Sequence, residues 1–248
     1  MMKWFVVFTL FVSLQLQAKQ TINVGVYDFP PYVFMYEKPK GLSIRVLKEL
    51  NEFQDEFHFV AIPTTPRRRF KDFKSGKFDM LIFEDKSWGW ENEDIDVSQP
   101  FVSDVEVFIT LANETKSEDF FADFTDKIIV GVMGYHYQFA DFNSDPNYLK
   151  RRFNFVPSHD QNDSVELILK ERGDIAIVSK SFLTHLFLHT PELKTKLLVS
   201  NRTDQVYRHT VLLRKDKPLN IHHLEKLLLD LKPRLQPIWK SYGLVELN

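Results

Sequence analysis

Apolar and polar residues alternate from Thr21 to Tyr27 (Thr-Ile-Asn-Val-Gly-Val-Tyr), the period of a half-buried strand, and Pro30-Pro31 ends it. Beyond Gly41, Leu42, Val46, Leu47 and Leu50 fall at helical spacing, which predicts a helix through Asn51. Phe57 to Ile62 reads as a second strand. Pro66 suits the first position of a helix that holds Arg67, Arg68, Arg69, Phe70 and Phe73 and stops at Gly76. Met80 to Phe83 is a third strand. Strand–helix–strand–helix–strand is the opening of a parallel α/β unit.

A second series follows the strand Asp104 to Leu111 and the polar stretch Asn113 to Asp126. It predicts strand Ile128 to Met133, a turn at Gly134, a helix from Tyr135 to Phe142 and a short helix from Pro146 to Arg151. Strand Phe153 to Pro157 leads to a helix from Ser164 to Glu171, capped by Asp163-Ser164 and ended by Gly173. Strand Asp174 to Val178 and helix Lys180 to His189 complete it. A strand from Tyr207 to Arg214 and two helices, Leu219 to Leu231 and Pro233 to Tyr242, close the chain. Each series has a Gly-Asp step before a strand (Gly76-Lys-Phe-Asp79; Gly173-Asp174), so the pattern predicts two α/β lobes with a cleft between them.

Composition narrows the chemistry. The 248 residues are 44% hydrophobic and 27% charged, enough for one large domain or two small ones. A formal net charge of -2 gives no basis for a nucleic-acid partner. The absence of cysteine removes disulfides, thiol nucleophiles and cysteine metal sites together. Aromatic residues are abundant, with 23 Phe, and suggest an aromatic-lined pocket. At the N-terminus, Met1-Met2-Lys3 precedes the apolar run Trp4 to Leu14 and the small residue Ala18. This is the pattern of a secretory signal peptide over residues 1–18, cut after Ala18, and the run is short of the roughly 20 residues that span a bilayer. Loss of Lys3 leaves 31 basic against 34 acidic residues, a charge of -3, on an exported periplasmic product without a lipid-attachment cysteine.

The third strand runs into a long polar loop that carries Trp88, Gly89, Trp90 and Glu91 and ends at Ser98-Gln-Pro-Phe101. Open α/β sheets keep ligand sites at the carboxyl ends of their strands. Two Trp there either line a cleft or pack the loop onto its lobe.

These residues together resemble the type II periplasmic solute-binding proteins, in particular the family 3 group that includes amino-acid receptors of ABC importers. The parts come in order over nearly the whole chain after residue 18: Val24-Gly-Val-Tyr with Pro-Pro-Tyr32, Gly41-Leu-Ser-Ile, Gly76-Lys-Phe-Asp79, Ser98-Gln-Pro-Phe101, Val130-Gly-Val-Met-Gly134, Gly173-Asp174 and Ile238-Trp-Lys-Ser-Tyr-Gly243. The resemblance implies a two-lobe α/β fold, with residues 21–107 and 211–248 as the first lobe and 108–210 as the second. Two hinge strands, near Val105 to Leu111 and Tyr207 to Val211, would let the lobes close over a ligand in the cleft.

The same resemblance marks departures. The arginine that pairs with the ligand carboxylate in the amino-acid receptors falls, by ungapped count, on Glu91. The aspartate for the ligand ammonium falls on Ser179, and the turn that holds the carboxylate reads Gly134-Tyr135-His136. An ordinary α-amino acid is therefore not the expected ligand. Glu91, with Trp88 and Trp90 as cation–π faces, would suit a cationic one; equally, Glu91 is one surface acid among several. Arg68 would supply a replacement cation, or would lie on a solvated basic helix face. Phe29 and Tyr32 stand where the family stacks a ring on its ligand, and Phe83 ends the third strand with Glu84 next to it at the start of the loop.

Other chemistry is sparse. His185 and His189 are four apart on a predicted helix, but no acid completes a zinc motif, so no metal or cofactor is expected. The expectation is a monomeric receptor for a small polar metabolite, partnered by an ABC importer permease or a membrane sensor. The alternative is an enzyme on the same frame, a lyase like the cyclohexadienyl dehydratases, with an acid of raised pKa and His136 at the cleft.

Overall fold

The computed structural model describes residues 18–35, 37–215 and 217–247. The signal-peptide segment therefore lies outside the described residues but for Ala18. Among the described residues, no helix is long and apolar enough to cross a membrane.

The first half builds β1 (Gln20–Val26), α1 (Leu42–Phe53), β2 (Phe57–Pro63), α2 (Arg69–Lys74), β3 (Met80–Glu84) and β4 (Ile95–Val97). Then come β5 (Val102–Leu111), β6 (Ile129–Val132), α3 (Pro146–Phe153), β7 (Phe155–Ser158), α4 (Gln161–Leu169), β8 (Ile175–Ser179) and α5 (Lys180–His189). The chain ends with α6 (Leu193–Lys196), β9 (Leu197–Arg214), α7 (Ile221–Ser241) and β10 (Val245–Glu246).

The strands are bonded in the order β2-β1-β3-β9-β5-β8-β6-β7, with β4 added to β9 and β10 to β5. In the first lobe β2, β1 and β3 are parallel and β9 runs against β3; in the second β7, β6 and β8 are parallel and β5 runs against β8. The two strands that cross between them, β5 and β9, pair with each other antiparallel from Val102↔His209 to Leu111↔Leu197. Beyond that, residues 210–214 of β9 turn to β3 and β4.

Local chemistry explains most elements. The stripe Leu42, Val46, Leu47 and Leu50 buries α1 against the sheet. Gly41 opens that helix at φ 114, and a Cβ there would stand 2.7 Å from the carbonyl oxygens of Pro31 and Tyr32. No side chain fits. Helix α4 starts three residues before the expected position, because Asp160 rather than Asp163 is the cap and accepts from the Asp163 N–H at 2.8 Å. The expected helix over 135–142 is only a short 3₁₀ turn at Gln138–Ala140.

Two further expectations are corrected. Strand β9 is 18 residues long rather than eight, its first half hidden in sequence by the polar run Ser200 to Gln205. The two terminal helices are one 21-residue helix, α7, with Pro233 and Pro237 inside it. Both prolines are exposed, and the carbonyl freed by Pro233 belongs to Leu229, itself 65% exposed, so the proline lies on the solvent face of the helix. The opposite face of α7, Leu224, Leu227, Leu231, Leu235 and Trp239, packs into the first lobe.

Candidate functional site

The carboxyl ends of β1, β3 and β6 converge between the lobes. There Tyr27, Phe29, Arg69, Trp88, Tyr135, His136 and Tyr207 enclose a cavity of about 10 Å³. Tyr27 and Phe29 follow β1, Trp88 follows β3, Tyr135 and His136 follow β6, and Tyr207 lies on the crossing strand β9. The rings meet edge to face: Phe29 against Trp88 at 5.9 Å, against Tyr135 at 5.4 Å and against Tyr207 at 6.1 Å. Such T-shaped contacts set the negative face of one ring on the positive edge of the next.

Arg69 is the cation of this cavity, 2% exposed. Its guanidinium lies 5.0 Å from the ring centre of Tyr27 and 4.5 Å from that of Phe70. Its Nε is 3.2 Å from Glu84 Oε1, without the alignment of a hydrogen bond, and Nη1 donates to the Pro66 carbonyl. Nη2 donates to no group among the described residues. Glu84, fully buried, accepts from the Tyr27 hydroxyl at 2.7 Å and from Trp90 Nε1 at 2.9 Å. Burial raises its carboxyl above the usual range, and Arg69, Tyr27 and Trp90 pull against that.

A kink aims Glu84 inward. Phe83 sits at φ 61, a left-handed conformation rare for a bulky residue, and the β3–β9 register shifts between Ile82 and Glu84. A second irregularity serves the other wall. Between the pairs Val105↔Val206 and Val107↔Thr203, Asp204 and Gln205 oppose the single residue Glu106. Gln205 then ties three segments: its amide donates to Glu106 Oε2 and to the His136 carbonyl, both at 2.6 Å, and accepts from Trp88 Nε1 at 3.1 Å. Burial, then the Asp204 charge, pushes the Glu106 pKa well up.

His136 is 8% exposed, and its Nε2 shares a 3.2 Å hydrogen bond with Ser144 Oγ. Burial, then the nearby Arg69 charge, lowers its pKa to about 3, so the imidazole is neutral. Its Nδ1 is buried without a partner.

The residues singled out from the sequence divide into three groups. Phe29, Trp88, Tyr135 and His136 line the cavity, and Glu84 and Trp90 back it through Arg69 and Tyr27. Trp90 is thus loop packing, its ring tilted against Phe70 at 4.5 Å and wholly buried. Tyr32, Phe83 and Ser179 lie deeper. Tyr32 donates to Asp104 Oδ2 at 2.8 Å and meets His209 Nε2 at 2.8 Å; Phe83 packs on Tyr32 and Trp239; Ser179 caps α5. Arg68 and Glu91 are outside. The Arg68 side chain is 70% exposed and reaches toward Asp72 at 4.0 Å, and Glu91 is exposed on the loop. Both corrections have one cause: α2 buries Arg69, Asp72 and Phe73, which turns Arg68 to solvent, and the loop turns inward only at Trp88 and Trp90. The site residues absent from the sequence reading are Tyr27, Arg69, Gln205 and Tyr207.

Among the described residues, no group of three or more His, Asp or Glu is placed to hold a metal ion. The rings of His185 and His189 lie 4.2 Å apart, tilted against each other.

No family model matches the sequence, and no curated protein matches it either. Solved structures match the fold over most of the chain. A histidine kinase sensor domain with similarity to periplasmic binding proteins aligns with 93% of this chain and 99% of its own, at 18% identity and a TM-score of 0.69. The fold is that of a type II periplasmic binding protein. A substrate-binding protein of an ABC uptake transporter from Streptococcus pneumoniae, with bound histidine, aligns over 90% of this chain and 92% of its own at 16% identity and a TM-score of 0.69. An ancestral amino-acid-binding protein, a precursor of cyclohexadienyl dehydratase, aligns over 90% and 95% at 14% identity and a TM-score of 0.66.

Proposed function

We propose that the chain is an exported receptor that binds a small organic anion between its lobes and presents the closed complex to an importer permease or a membrane sensor. Residues 21–107 with 211–248 would form one rigid lobe and 108–210 the other, moving about β5 and β9. The observation that carries the reading is the pair of buried nitrogens without a hydrogen-bond partner at one cavity wall, Arg69 Nε and His136 Nδ1. Buried donors are almost always satisfied, and a guanidinium with spare N–H groups in an apolar cage suits an acceptor on a ligand.

The same wall disfavours an α-amino acid. Its ammonium needs an acceptor carboxylate, and the buried acids nearby already accept hydrogen bonds: Glu84 from Tyr27 and Trp90, Glu106 from Gln205, Asp104 from Tyr32 and Ser181, Asp204 from the N–H groups of Gln138 and Phe139, while half-buried Asp28 accepts from the Met35 N–H. A cationic ligand would meet Arg69. The lyase reading keeps second place, because no residue lining the cavity is an acid: Glu106 and Asp28, both raised by burial, stand outside that lining, Asp28 between Tyr27 and Phe29.

A thermal-shift panel of monocarboxylates, amino acids and polyamines tests the proposal. Monocarboxylates should stabilise the wild type by about 2.7 kcal/mol at 100 times their dissociation constant, and Arg69→Gln should abolish it. Stabilisation by polyamines, or by acids in Arg69→Gln, would overturn it. Prephenate turnover would move the lyase reading to first place.

A further inference from the structure

The cleft is filled by the protein's own side chains, and the ring of Tyr135 crosses it. Its ring stands edge-on to Phe29 of the opposite lobe, at 5.4 Å and 86°. Its hydroxyl donates to the Asp28 carbonyl at 3.0 Å. Beside it, the Gln161 amide donates to the Pro30 carbonyl at 2.8 Å while its oxygen accepts from the Ser179 N–H at 2.6 Å, a clasp from second lobe to first. Gly134, the residue before Tyr135, packs so closely on the first lobe that a Cβ would lie 2.7 Å from Arg67 Cγ. The space left over, about 10 Å³, is the size of one water position, where ligand pockets run to several hundred cubic ångströms.

No organic ligand fits beside Tyr135 in this packing. One that fits in its place inherits the surroundings its ring has now: Phe29 faced at right angles, with Trp88 and Tyr207 completing an aromatic wall at 4.8 Å from each other. Walls made of ring edges and faces select another flat ring. We infer that Tyr135 is a built-in occupant of the ligand site, a phenol that holds the lobes shut and that a single-ring aromatic ligand displaces. The inference rests on the reading of this cleft as the ligand site, and it names the ligand's body where Arg69 names its acceptor group.

Removing the occupant should convert a latent site into an open one. In purified Tyr135→Ala, phenol and benzoate should each raise the melting temperature, as benzene-sized solutes fill engineered apolar cavities of about 150 Å³, while phenol leaves the wild type unmoved. Benzoate should act more strongly than phenol, and Tyr135→Ala/Arg69→Gln should lose that excess. If both rings bind and no Arg69-dependent excess is seen, the occupant role of Tyr135 stands and the organic-anion reading fails. If folded Tyr135→Ala ignores both rings, the occupant inference is overturned.

Tyr135→Phe provides a variant that keeps the ring and the core. Loss of one hydrogen bond across the cleft should raise the open-to-closed ratio about threefold to tenfold. Acrylamide quenching of Trp88 fluorescence, with Trp88→Phe as the blank, should rise with it. Unchanged quenching would overturn the role of Tyr135 in holding the cleft shut, whether or not Tyr135→Ala folds.

Discussion

Replacing Glu84 by glutamine tests the arrangement on which the site depends. The carboxylate is fully buried, 3.2 Å from Arg69 Nε, and takes hydrogen bonds from Tyr27 and Trp90. Glutamine keeps the shape and one acceptor oxygen, so the main loss is the negative charge beside a guanidinium that is itself 2% exposed. Breaking a buried pair on one side costs about 3–5 kcal/mol, because the surviving charge is left in a medium that solvates it poorly. For a chain of this length that is a fall of about 6–20 °C in melting temperature. Urea unfolding at pH 7 should show the loss as a lower midpoint at constant slope.

Removing both charges should not cost twice as much. Arg69→Met/Glu84→Gln leaves no unpaired ion, and an apolar replacement of a buried pair is often close to neutral. The double variant is therefore expected to be more stable than either single one, with a coupling of at least about 2 kcal/mol. Binding separates differently: Glu84→Gln frees the guanidinium and should retain anion binding, whereas both variants lacking Arg69 should lose it. A loss below about 1 kcal/mol in Glu84→Gln, or strictly additive single effects, would refute the claim that Glu84 holds Arg69 in place.

Three further outcomes are expected. His209 and His136, held by burial at pKa values of about 3, stay neutral in the fold and gain protons on unfolding, so their contribution is complete above about pH 6.5 and is lost as pH falls toward 3; His209→Gln should flatten that acid limb in urea midpoints taken from pH 3 to 7. Asp204, raised to about 6 by burial, acts in the opposite sense, most favourable below its ordinary 3.8 and lost as pH rises through 6, so Asp204→Asn should steepen the loss of stability on acidification. Pro233→Ala should stabilise the protein by about 1–3 kcal/mol by restoring a helical N–H in α7, and a thermal melt below the wild type would contradict a continuous helix through that turn.

What the chain disclosed in advance was periodicity. The strands β1, β2, β3, β5 and β8 and the helices α1 and α5 were legible because a period of 2 or 3.6 directly reports which face is buried. What it withheld were the places where tertiary contacts override local preference. Ser200 to Gln205 looks like a polar loop, yet β9 runs through it because Asp204 and Gln205 find buried partners in backbone N–H groups, Glu106, Trp88 and the His136 carbonyl. Pro233 looks like a helix start, yet α7 runs through it because it stands on an exposed face.

The cation of the site shows the limit most clearly. Three consecutive arginines read as one basic surface, but a helix turns each of them about 100° from the last, so they cannot share an environment. Arg69 lies four residues before Phe73 and three before Asp72, on the face that α2 buries, and Arg68 is rotated off it. That spacing was the available signal. It locates the buried arginine but not its partner: Glu84 faces inward only because Phe83 adopts φ 61, and in an unbroken strand Phe83 and Glu84 would alternate sides. A binding site assembled from a helix face, a strand kink and a bulge is written in contacts between distant segments, and periodicity within any one segment is blind to it.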